Sequence, residues 1–329
     1  MSDDAVAPVI AVMLILAIAV TFFAAWNAYY VPSMKAQSEI SHIKDVETGF
    51  LKFSSDIETA ASLTSRKKTL KLSEPIPLGG GEFTFDPVKS GGELKIWNAS
   101  PLDTSSTGYF RLNLTNNTPE GPVTPFPGIM QNFSLVKFSY TPVNNFWQDQ
   151  GYGWSYGNVF VLNTERNLST PLQFARWSDV TYGLAESLVD IEPVRSVSTT
   201  EIPANKNCSS ITIRVVDITP DSRHSQISGN GNGMLVLEST VRLPDEITHA
   251  TSMHLSINTP PDRFRNSTLW NETLWNSVNA TSVERLSQCE NIVMAFPSEH
   301  ETRLTFKTDP GYPNMTLIRE TTEIKVGVY

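Results

Sequence analysis

The sequence is poor in cysteine, in positive charge and in catalytic motifs. Only two of its 329 residues are cysteine, and it has no Cys-x-x-Cys pair, no HExxH and no GxxxxGK[ST] sequence. The 25 Lys and Arg residues are outnumbered by 34 Asp and Glu residues, which gives a net charge of −9. That sign excludes nucleic acid as an expected partner, because duplex binding needs cations that neutralise phosphates. We therefore predict no catalytic residue, no cofactor, no metal ligand and no enzyme.

A long uncharged run occupies the start of the chain. From Val9 to Trp26 the only polar side chain is that of Thr21. About 20 apolar residues in a helix span the hydrocarbon core of a bilayer. We predict that residues 5–34 form a single membrane-spanning helix in contact with lipid, and a buried helix of a soluble protein is the alternative. Aromatic rings at the far end are expected in the headgroup layer, namely Trp26, Tyr29 and Tyr30.

Residues 35–71 continue with helical periodicity but are polar. Apolar residues recur every three or four positions, at Ile43, Val46, Phe50, Phe53, Ile57 and Ala60. This spacing predicts an amphipathic stalk helix, with a kink at Pro32 where the helix leaves the lipid. The apolar seam is expected to pack on the chain's own β domain or on sister subunits. A basic collar, predicted near the membrane, follows at Arg66, Lys67, Lys68 and Lys71.

The first residues suggest a family. Residues 3–14, with the sequence DDAVAPVIAVML, resemble the opening of archaeal type IV pilins and pilin-like proteins. In that family a short leader, here residues 1–4, precedes a Pro-Val-Ile step and a long hydrophobic helix. The resemblance implies cleavage by a family peptidase between Asp4 and Ala5, and a helix that serves as membrane anchor and as filament core. The GGG, NNFWQDQGYGW and SGNGNG stretches resemble, more loosely, large pilin-headed surface proteins of methanogenic archaea.

From residue 72 onward the periodicity changes from helical to alternating. Alternating runs separated by Gly, Pro and Asn occupy residues 82–86, 93–98, 109–114, 133–141, 159–162, 210–218, 234–243, 253–257, 303–308 and 323–328. Such runs are strand signals. We predict a mainly β protein with a long N-terminal α-helix, in which residues 72–329 form one β-sandwich or two apposed sandwiches. Two domains with a boundary near 196–208 are the alternative, and one helix is predicted over 267–278.

The side of the membrane on which the β domain lies is signalled in conflicting ways. The basic residues follow the hydrophobic helix, which by the positive-inside rule would keep the domain in the cytoplasm. Long domains translocate largely regardless of charge, however, and the pilin resemblance and the domain's composition favour the outside. We therefore predict a single-pass protein of the cell membrane with an extracellular domain.

Two kinds of covalent modification are predicted in the β domain. Cys208 and Cys289 are expected to form one disulfide, with two buried free thiols as the alternative. Acceptor sequons of the Asn-x-Ser/Thr type are more frequent than chance predicts, and they suit an outward-facing glycoprotein. The ten sequons are at Asn98, Asn113, Asn116, Asn132, Asn167, Asn207, Asn266, Asn271, Asn279 and Asn314.

One aromatic stretch, residues 144–160, has the composition of a carbohydrate-binding surface. Aromatic rings stack on sugar faces while amide groups bind hydroxyls. The predicted sugar contacts are Trp147, Tyr152, Trp154 and Tyr156, and packing of these rings in a sandwich core is the favoured alternative. The Gly-Asn alternation of residues 229–233 predicts a hairpin turn.

Three classes of function remain open from the sequence. The leading hypothesis is a structural surface protein, a pilin-like subunit that can self-assemble through its N-terminal helix into a surface filament. The second is an anchored adhesion module that binds carbohydrate or another surface. A membrane-tethered hydrolase has the least support, because sequence does not show whether acidic residues converge.

Overall fold

The computed structural model describes most of the chain. The described residues are 6–62, 69–79, 90–98, 109–118, 121–122, 130–134, 136–143, 149–155, 157–163, 168–173, 189–195, 206–258, 285–298, 301–307 and 314–329. The predicted strand at 82–86 and the predicted helix at 267–278 lie outside these residues.

The described part of the chain begins with one uninterrupted run of helical backbone. It comprises α1 (Val6–Ala25), a π-helical turn (Trp26–Tyr30) and α2 (Val31–Ala61). The amide of Val31 donates to the carbonyl of Trp26 five residues earlier, and Pro32 follows in the first turn of α2. A proline ring crowds the carbonyl four residues before it and has no amide hydrogen, so a wider turn accommodates it. The predicted disturbance at Pro32 is thus a π-helical turn.

The remaining described elements are almost all strands. They are β1 (Leu70–Pro77), β2 (Gly91–Asn98), β3 (Tyr109–Thr118), β4 (Gly121–Pro122), β5 (Met130–Ser134), β6 (Val136–Val143), β7 (Gln150–Ser155), β8 (Asn158–Asn163), β9 (Leu168–Pro171), β10 (Val189–Arg195), β11 (Cys208–Pro220), β12 (Gln226–Gly229), β13 (Asn232–Val241), β14 (Asp245–Ile247), β15 (Ala250–Asn258), β16 (Ile292–Ser298), β17 (Glu301–Phe306) and β18 (Thr316–Val328). The predicted fold class, a long N-terminal helix followed by a sandwich-like β region, is confirmed.

The described strands form three sheets of six. Sheet A has the order β1-β13-β18-β11-β10, with β14 paired to β18. Sheet B has the order β12-β2-β6-β7-β8-β9, and sheet C has the order β16-β17-β15-β3-β4 with β5 paired to β3. Strands from both sides of residues 196–208 pair within each sheet. The alternative boundary at 196–208 is therefore wrong, because it would cut through all three sheets.

Sheet A is central because its two longest strands bury opposite faces in their two halves. In β11 the buried positions are Ile211, Ile213 and Val215, and then Val216 and Ile218 on the other face. The neighbouring β18 changes face in the same way, between Thr321 and Ile324. Strand β11 contacts β5 of sheet C as well as β2 and β6 of sheet B. One twisted sheet thus closes two layers, a lower layer with sheet B and an upper layer with sheet C.

The amphipathic helix α2 is part of the lower layer. All six seam residues, Ile43, Val46, Phe50, Phe53, Ile57 and Ala60, are at most 6% exposed. They pack on β1, β7, β8, β13 and β18 of the same chain. Of the two alternatives left by the sequence, the structure shows packing on the chain's own β domain. The folded unit therefore includes the docked part of α2 as well as the strands.

The predicted hairpin at residues 229–233 is wrong. Strand β12 pairs with β2 in sheet B, whereas β13 pairs with β1 and β18 in sheet A. The segment between them carries the chain from one sheet to the other. Gly79 is needed nearby, because a Cβ on it would lie 2.7 Å from the backbone of Asn230.

Candidate functional site: the exposed helix and its dock

The surface of α1 is apolar on every side, and no described part of the chain is packed on it. Each large apolar side chain from Val9 to Phe23 is between 53% and 68% exposed. Among the described residues, one helix is long and apolar enough to cross a membrane, and it is this one. From Val9 to Tyr30 the rise of an α-helix gives about 32 Å, close to the thickness of a bilayer's hydrocarbon core.

Aromatic rings form a cluster where α1 meets α2. The rings of Trp26 and Tyr30 are stacked with centroids 4.4 Å apart, and Phe22 lies 6.1 Å from Trp26. Tyr29, the neighbour of Tyr30 in the sequence, is 81% exposed. Rings with a polar tip favour the boundary between hydrocarbon and headgroups, so this cluster suits the end of a membrane span.

The few polar side chains near this end bond within the helix. The hydroxyl of Thr21 donates to the carbonyls of Ala17 and Ile18, each at 2.9 Å. The amide of Asn27 donates to the carbonyl of Phe23 at 3.0 Å. In a solvent without hydrogen-bond partners, such local bonds remove the penalty of exposing a polar group.

The docked part of α2 is held by aromatic rings from sheet B. Phe53 meets Phe138 edge to face at 5.5 Å, and Phe138 lies 4.8 Å from Trp154. Phe50 lies 6.2 Å from Tyr152. These rings pack the helix on this sheet.

Polar bonds fix the register of the helix on the strands. The hydroxyl of Tyr152 donates to Glu47 at 2.7 Å, and the indole nitrogen of Trp154 donates to Ser54 at 3.0 Å. Ser54 in turn donates to the carbonyl of Gly157 at 3.3 Å. Burial, followed by the hydrogen bond to Glu47, raises the pKa of Tyr152 well above its usual range. These bonds satisfy the polar atoms that the aromatic packing takes out of water.

The prediction of sugar contacts is wrong for Tyr152 and Trp154. They are 1% and 0% exposed, because their strand turns them toward α2, so no ligand reaches their faces. Core packing, the favoured alternative, accounts for both. The other two predicted contacts, Trp147 and Tyr156, lie outside the described residues.

The same stretch contains a hydrolase-like spacing that sequence reasoning missed. Residues 153–157, GWSYG, match the GxSxG pattern of a nucleophile elbow. That motif needs a strand, a sharp turn and a helix. Here β7 ends at Ser155 and the antiparallel strand β8 begins at Asn158. The segment is a β-hairpin, so the spacing lacks the structural context of the catalytic motif.

The contact between α2 and the strands contains a buried histidine at its end nearer to α1. His42 is 5% exposed, and its Nε2 lies 3.0 Å from the carbonyl oxygen of Pro77. Its ring meets Tyr140 edge to face at 6.0 Å, and Tyr140 donates to the carbonyl of Leu78 at 3.2 Å. Burial lowers the pKa of His42 from its ordinary value of 6.5, in spite of a backbone hydrogen bond and two nearby carboxylates that raise it.

Of the four residues of the predicted basic collar, the structure describes Lys71. Beyond Tyr30 the helical run continues for the 31 residues of α2, Val31–Ala61, which the helical rise converts to about 46 Å. Lys71 lies at the start of β1, after the far end of this helix. Residues 66–68 of the collar lie outside the described part, so its position near the membrane stays a prediction.

The predicted disulfide is present between Cys208 and Cys289, with their Cα atoms 5.6 Å apart. Asn291 is fully buried beside it, accepting from the amide of Cys208 at 2.9 Å and donating to its carbonyl at 2.8 Å. The bond ties the start of β11 in sheet A to the segment before β16 in sheet C. It thereby fixes the upper layer.

The structure shows how exposed three of the ten predicted glycosylation sites are. Asn314 is exposed and Asn113 is half-buried. Asn207 is 7% exposed, so a glycan on its side chain would clash with the fold, and the prediction is wrong for this site. The side chains of the other seven, Asn98, Asn116, Asn132, Asn167, Asn266, Asn271 and Asn279, lie outside the described residues, as does the cleavage site at Asp4 and Ala5.

Two charged clusters lie away from the helix. Asp221 accepts from the ring of His224 at 3.1 Å and from the hydroxyl of Tyr329 at 3.3 Å. Arg214 bridges Asp190, Glu192 and Glu320 at 3.0 to 3.2 Å across three strands. In the described part of the chain, no group of three or more His, Cys, Asp or Glu side chains is arranged to hold a metal ion.

Comparison of the chain with protein-family profiles, with curated proteins and with solved structures finds no match.

Proposed function

We propose that the chain is a membrane-anchored structural protein of the cell surface, held in the bilayer by α1 and presenting its β domain outside. One observation carries the proposal. A single run of helix is uncovered and apolar all round in its first part, whereas in its second part it is amphipathic and docked on the β domain. An apolar surface of this size in water would drive aggregation, so it needs lipid or other apolar helices around it.

Two features support an outward-facing domain. The disulfide between Cys208 and Cys289 suits an oxidising compartment, because cytosolic thiols are kept reduced. The excess of sequons suits a glycosylated surface, and Asn314 is an accessible example.

The finer proposal is that the protein is a pilin-like filament subunit. It rests on the resemblance of residues 3–14 and on the continuous helix. The outward face of α2 is polar, with Ser41, Lys44, Thr48 and Lys52 exposed, while its apolar seam is used by the chain's own domain. In a filament, apolar contact between copies would therefore be confined to α1 and the first turns of α2.

The anchoring proposal is tested by placing charges on α1. Arginine at both Leu14 and Ile18 should release the protein from membranes washed with alkaline carbonate, because each central charge costs about 2.5–3.5 kcal/mol of insertion free energy. A matched control has arginine at Ser41 and Thr48, on the exposed polar face of α2, and should stay in the membrane. Recovery of the unmodified protein in the soluble fraction would contradict the proposal.

The filament proposal has a separate test. Material sheared from cells is imaged, and the chain within it is sequenced from its N-terminus. Filaments that contain this chain beginning at Ala5 would support both assembly and the predicted cleavage. Recovery of the chain only from detergent-extracted membranes would contradict the filament proposal and still agree with membrane anchoring.

A further inference from the structure

Sheet C ends at β16, and in the described part of the chain no strand lies beyond it. Strand β16 pairs with β17 alone, and the two keep a regular antiparallel register from Ile292 to Ala295. On the outer face of the sheet Val293 is 48% exposed, and Phe296, at the irregularity that follows, is 55% exposed. Apolar side chains are thus exposed along a strand whose backbone is paired on one side only.

This edge lacks the features that protect other edges of the described sheets. An edge strand is a template for pairing with another chain unless it is short, charged or interrupted by proline. In sheet A, the edge strand β10 has Asp190, Glu192, Pro193 and Arg195, and the edge strand β1 has two prolines and lies against α2. In sheet B, the edge strands β9 and β12 have four residues each. Strand β16 has seven residues, none of them charged, and its proline is the last but one.

The hydrogen-bond pattern shows which backbone groups of β16 point away from β17. The amide of Lys307 donates to the carbonyl of Asn291 at 3.0 Å, and this pair extends the register of the two strands by one step. In an antiparallel ladder, hydrogen-bonded pairs alternate with pairs that are not bonded. Val293 and Ala295 therefore bond to β17, whereas the amide and the carbonyl of Met294 point to the open edge.

A second copy of the chain fits this edge through a two-fold axis at Met294. Two antiparallel strands related by such an axis exchange both backbone bonds between the same residue of each copy. Met294 directs both of the required groups at the edge. Val293 then lies opposite Ala295 of the second copy, so that a larger side chain faces a small one. Because β16 has no charged side chain, the pairing brings no like charges of this strand together.

We propose that β16 is a self-pairing edge, at which two copies of the protein join their sheets C into one continuous sheet about a two-fold axis at Met294. Neither copy changes its fold, since β16 keeps its bonds to β17. Main-chain bonds give such strand addition its affinity, and the exposed apolar side chains next to them are covered by the same contact. The proposal concerns the β domain and does not depend on how α1 is used.

Cysteine cross-linking of the full chain in detergent tests this register. The two native cysteines are bonded to each other, so cysteines introduced at exposed positions react selectively. Chains with Val293→Cys are mixed with chains with Ala295→Cys and are then oxidised. The proposed axis places these two positions directly opposite each other, within reach of a disulfide. In pairs of identical chains the new cysteines are diagonal neighbours with Cα atoms about 7–8 Å apart, which is too far for a disulfide.

The mixture should yield at least about fivefold more linked dimer than either variant alone. A matched control mixes Ala295→Cys with Thr59→Cys, an exposed position on α2, and should give the yield of random collisions. Phe296→Lys in both chains adds an edge charge and should lower the yield toward that of the single variants, with little change in thermal unfolding because Phe296 is exposed.

A mixture that links no better than its two components would overturn the proposal and would favour a strand of another protein at this edge. Equal linking with Thr59→Cys would also overturn it, because association through α1 brings all positions together without a register. An unchanged yield in the Phe296→Lys chains would count against strand pairing in the same way.

Discussion

At the scale of single residues, the pKa values of two aspartates four positions apart are shifted in opposite directions. Burial, and then the charge of Glu323, raises the pKa of Asp217 on β11 to about 6. The hydrogen bond from His224, followed by that from the backbone amide of Arg223, lowers the pKa of Asp221 below its usual range. Asp217 lies where β11 changes its buried face, beside Glu323 on β18, and its Arg neighbour, Arg242, is paired with Glu323. The twist of the sheet thus leaves one carboxylate poorly solvated.

This difference predicts opposite effects of two conservative substitutions. A carboxyl whose pKa is higher in the folded than in the unfolded chain lowers the stability of the fold as the pH rises from about 4 to about 6. Above that pH the loss stays constant. Asp217→Asn should therefore raise the free energy of unfolding at about pH 7.5 by on the order of 2 kcal/mol, with little effect near pH 4. Asp221→Asn should lower it at about pH 7.5, because the amide is a weaker acceptor for His224. Urea unfolding at the two pH values measures both, and a loss of stability in Asp217→Asn at about pH 7.5 would contradict the first expectation.

At the scale of elements, the fit of α2 on β1 depends on one glycine. A Cβ on Gly49 would lie 2.4 Å from Cδ1 of Ile76 and 3.4 Å from the carbonyl oxygen of Pro75. Ile76 is fully buried and Gly49 sits in the middle of the docked helix, so the isoleucine has little room to move. The close approach of helix and strand explains why glycine, which otherwise disfavours a helix, occupies this position.

Gly49→Ala should consequently destabilise the protein, although alanine is the better helix former by about 1 kcal/mol. We expect a loss of about 1–3 kcal/mol in the free energy of unfolding from overpacking. Adding Ile76→Val, which removes Cδ1, should recover part of that loss. Ser55→Ala on the exposed face of α2 is the matched control and should change stability by less than about 0.5 kcal/mol. Thermal unfolding of the wild-type chain and the three variants measures these differences in stability. A stabilised Gly49→Ala would show that the helix is less closely packed.

At the scale of the whole molecule, the folded unit starts within the helix. Six seam side chains of α2 complete the lower layer, and Trp154 and Tyr152 have their hydrogen-bond partners on it. Without α2, both polar groups would lose these partners and a row of aromatic side chains would face water. The boundary predicted at residue 72 divides this layer, so it does not mark the start of an independent domain.

Two truncated chains test this boundary. A chain of residues 35–329 lacks α1 but keeps the dock, and it should be soluble without detergent and unfold cooperatively. A chain of residues 70–329 should aggregate or fail to fold, because the apolar surface that α2 covers would be exposed to water. Size-exclusion chromatography and circular dichroism on heating distinguish them. Equal melting temperatures for the two chains would mean that α2 contributes nothing to the core.

Local patterns in the sequence were enough to predict the elements. The uncharged run at the N-terminus, the seam of α2 and strands such as β11, β13 and β18 were all foreseen, because periods of 3.6 and 2 residues follow from backbone geometry. The sequence by itself therefore determined a long apolar helix, an amphipathic continuation and a β-rich remainder. It also supplied the cysteine pair.

The tertiary structure alone decided what covers each face. Alternation shows that Tyr152 and Trp154 share one side of a strand, but it does not show that α2 lies over that side. Their partners Glu47 and Ser54 are 105 and 100 residues away. Contacts at such separations are set by the closure of the whole fold, so no pattern among neighbouring residues records them.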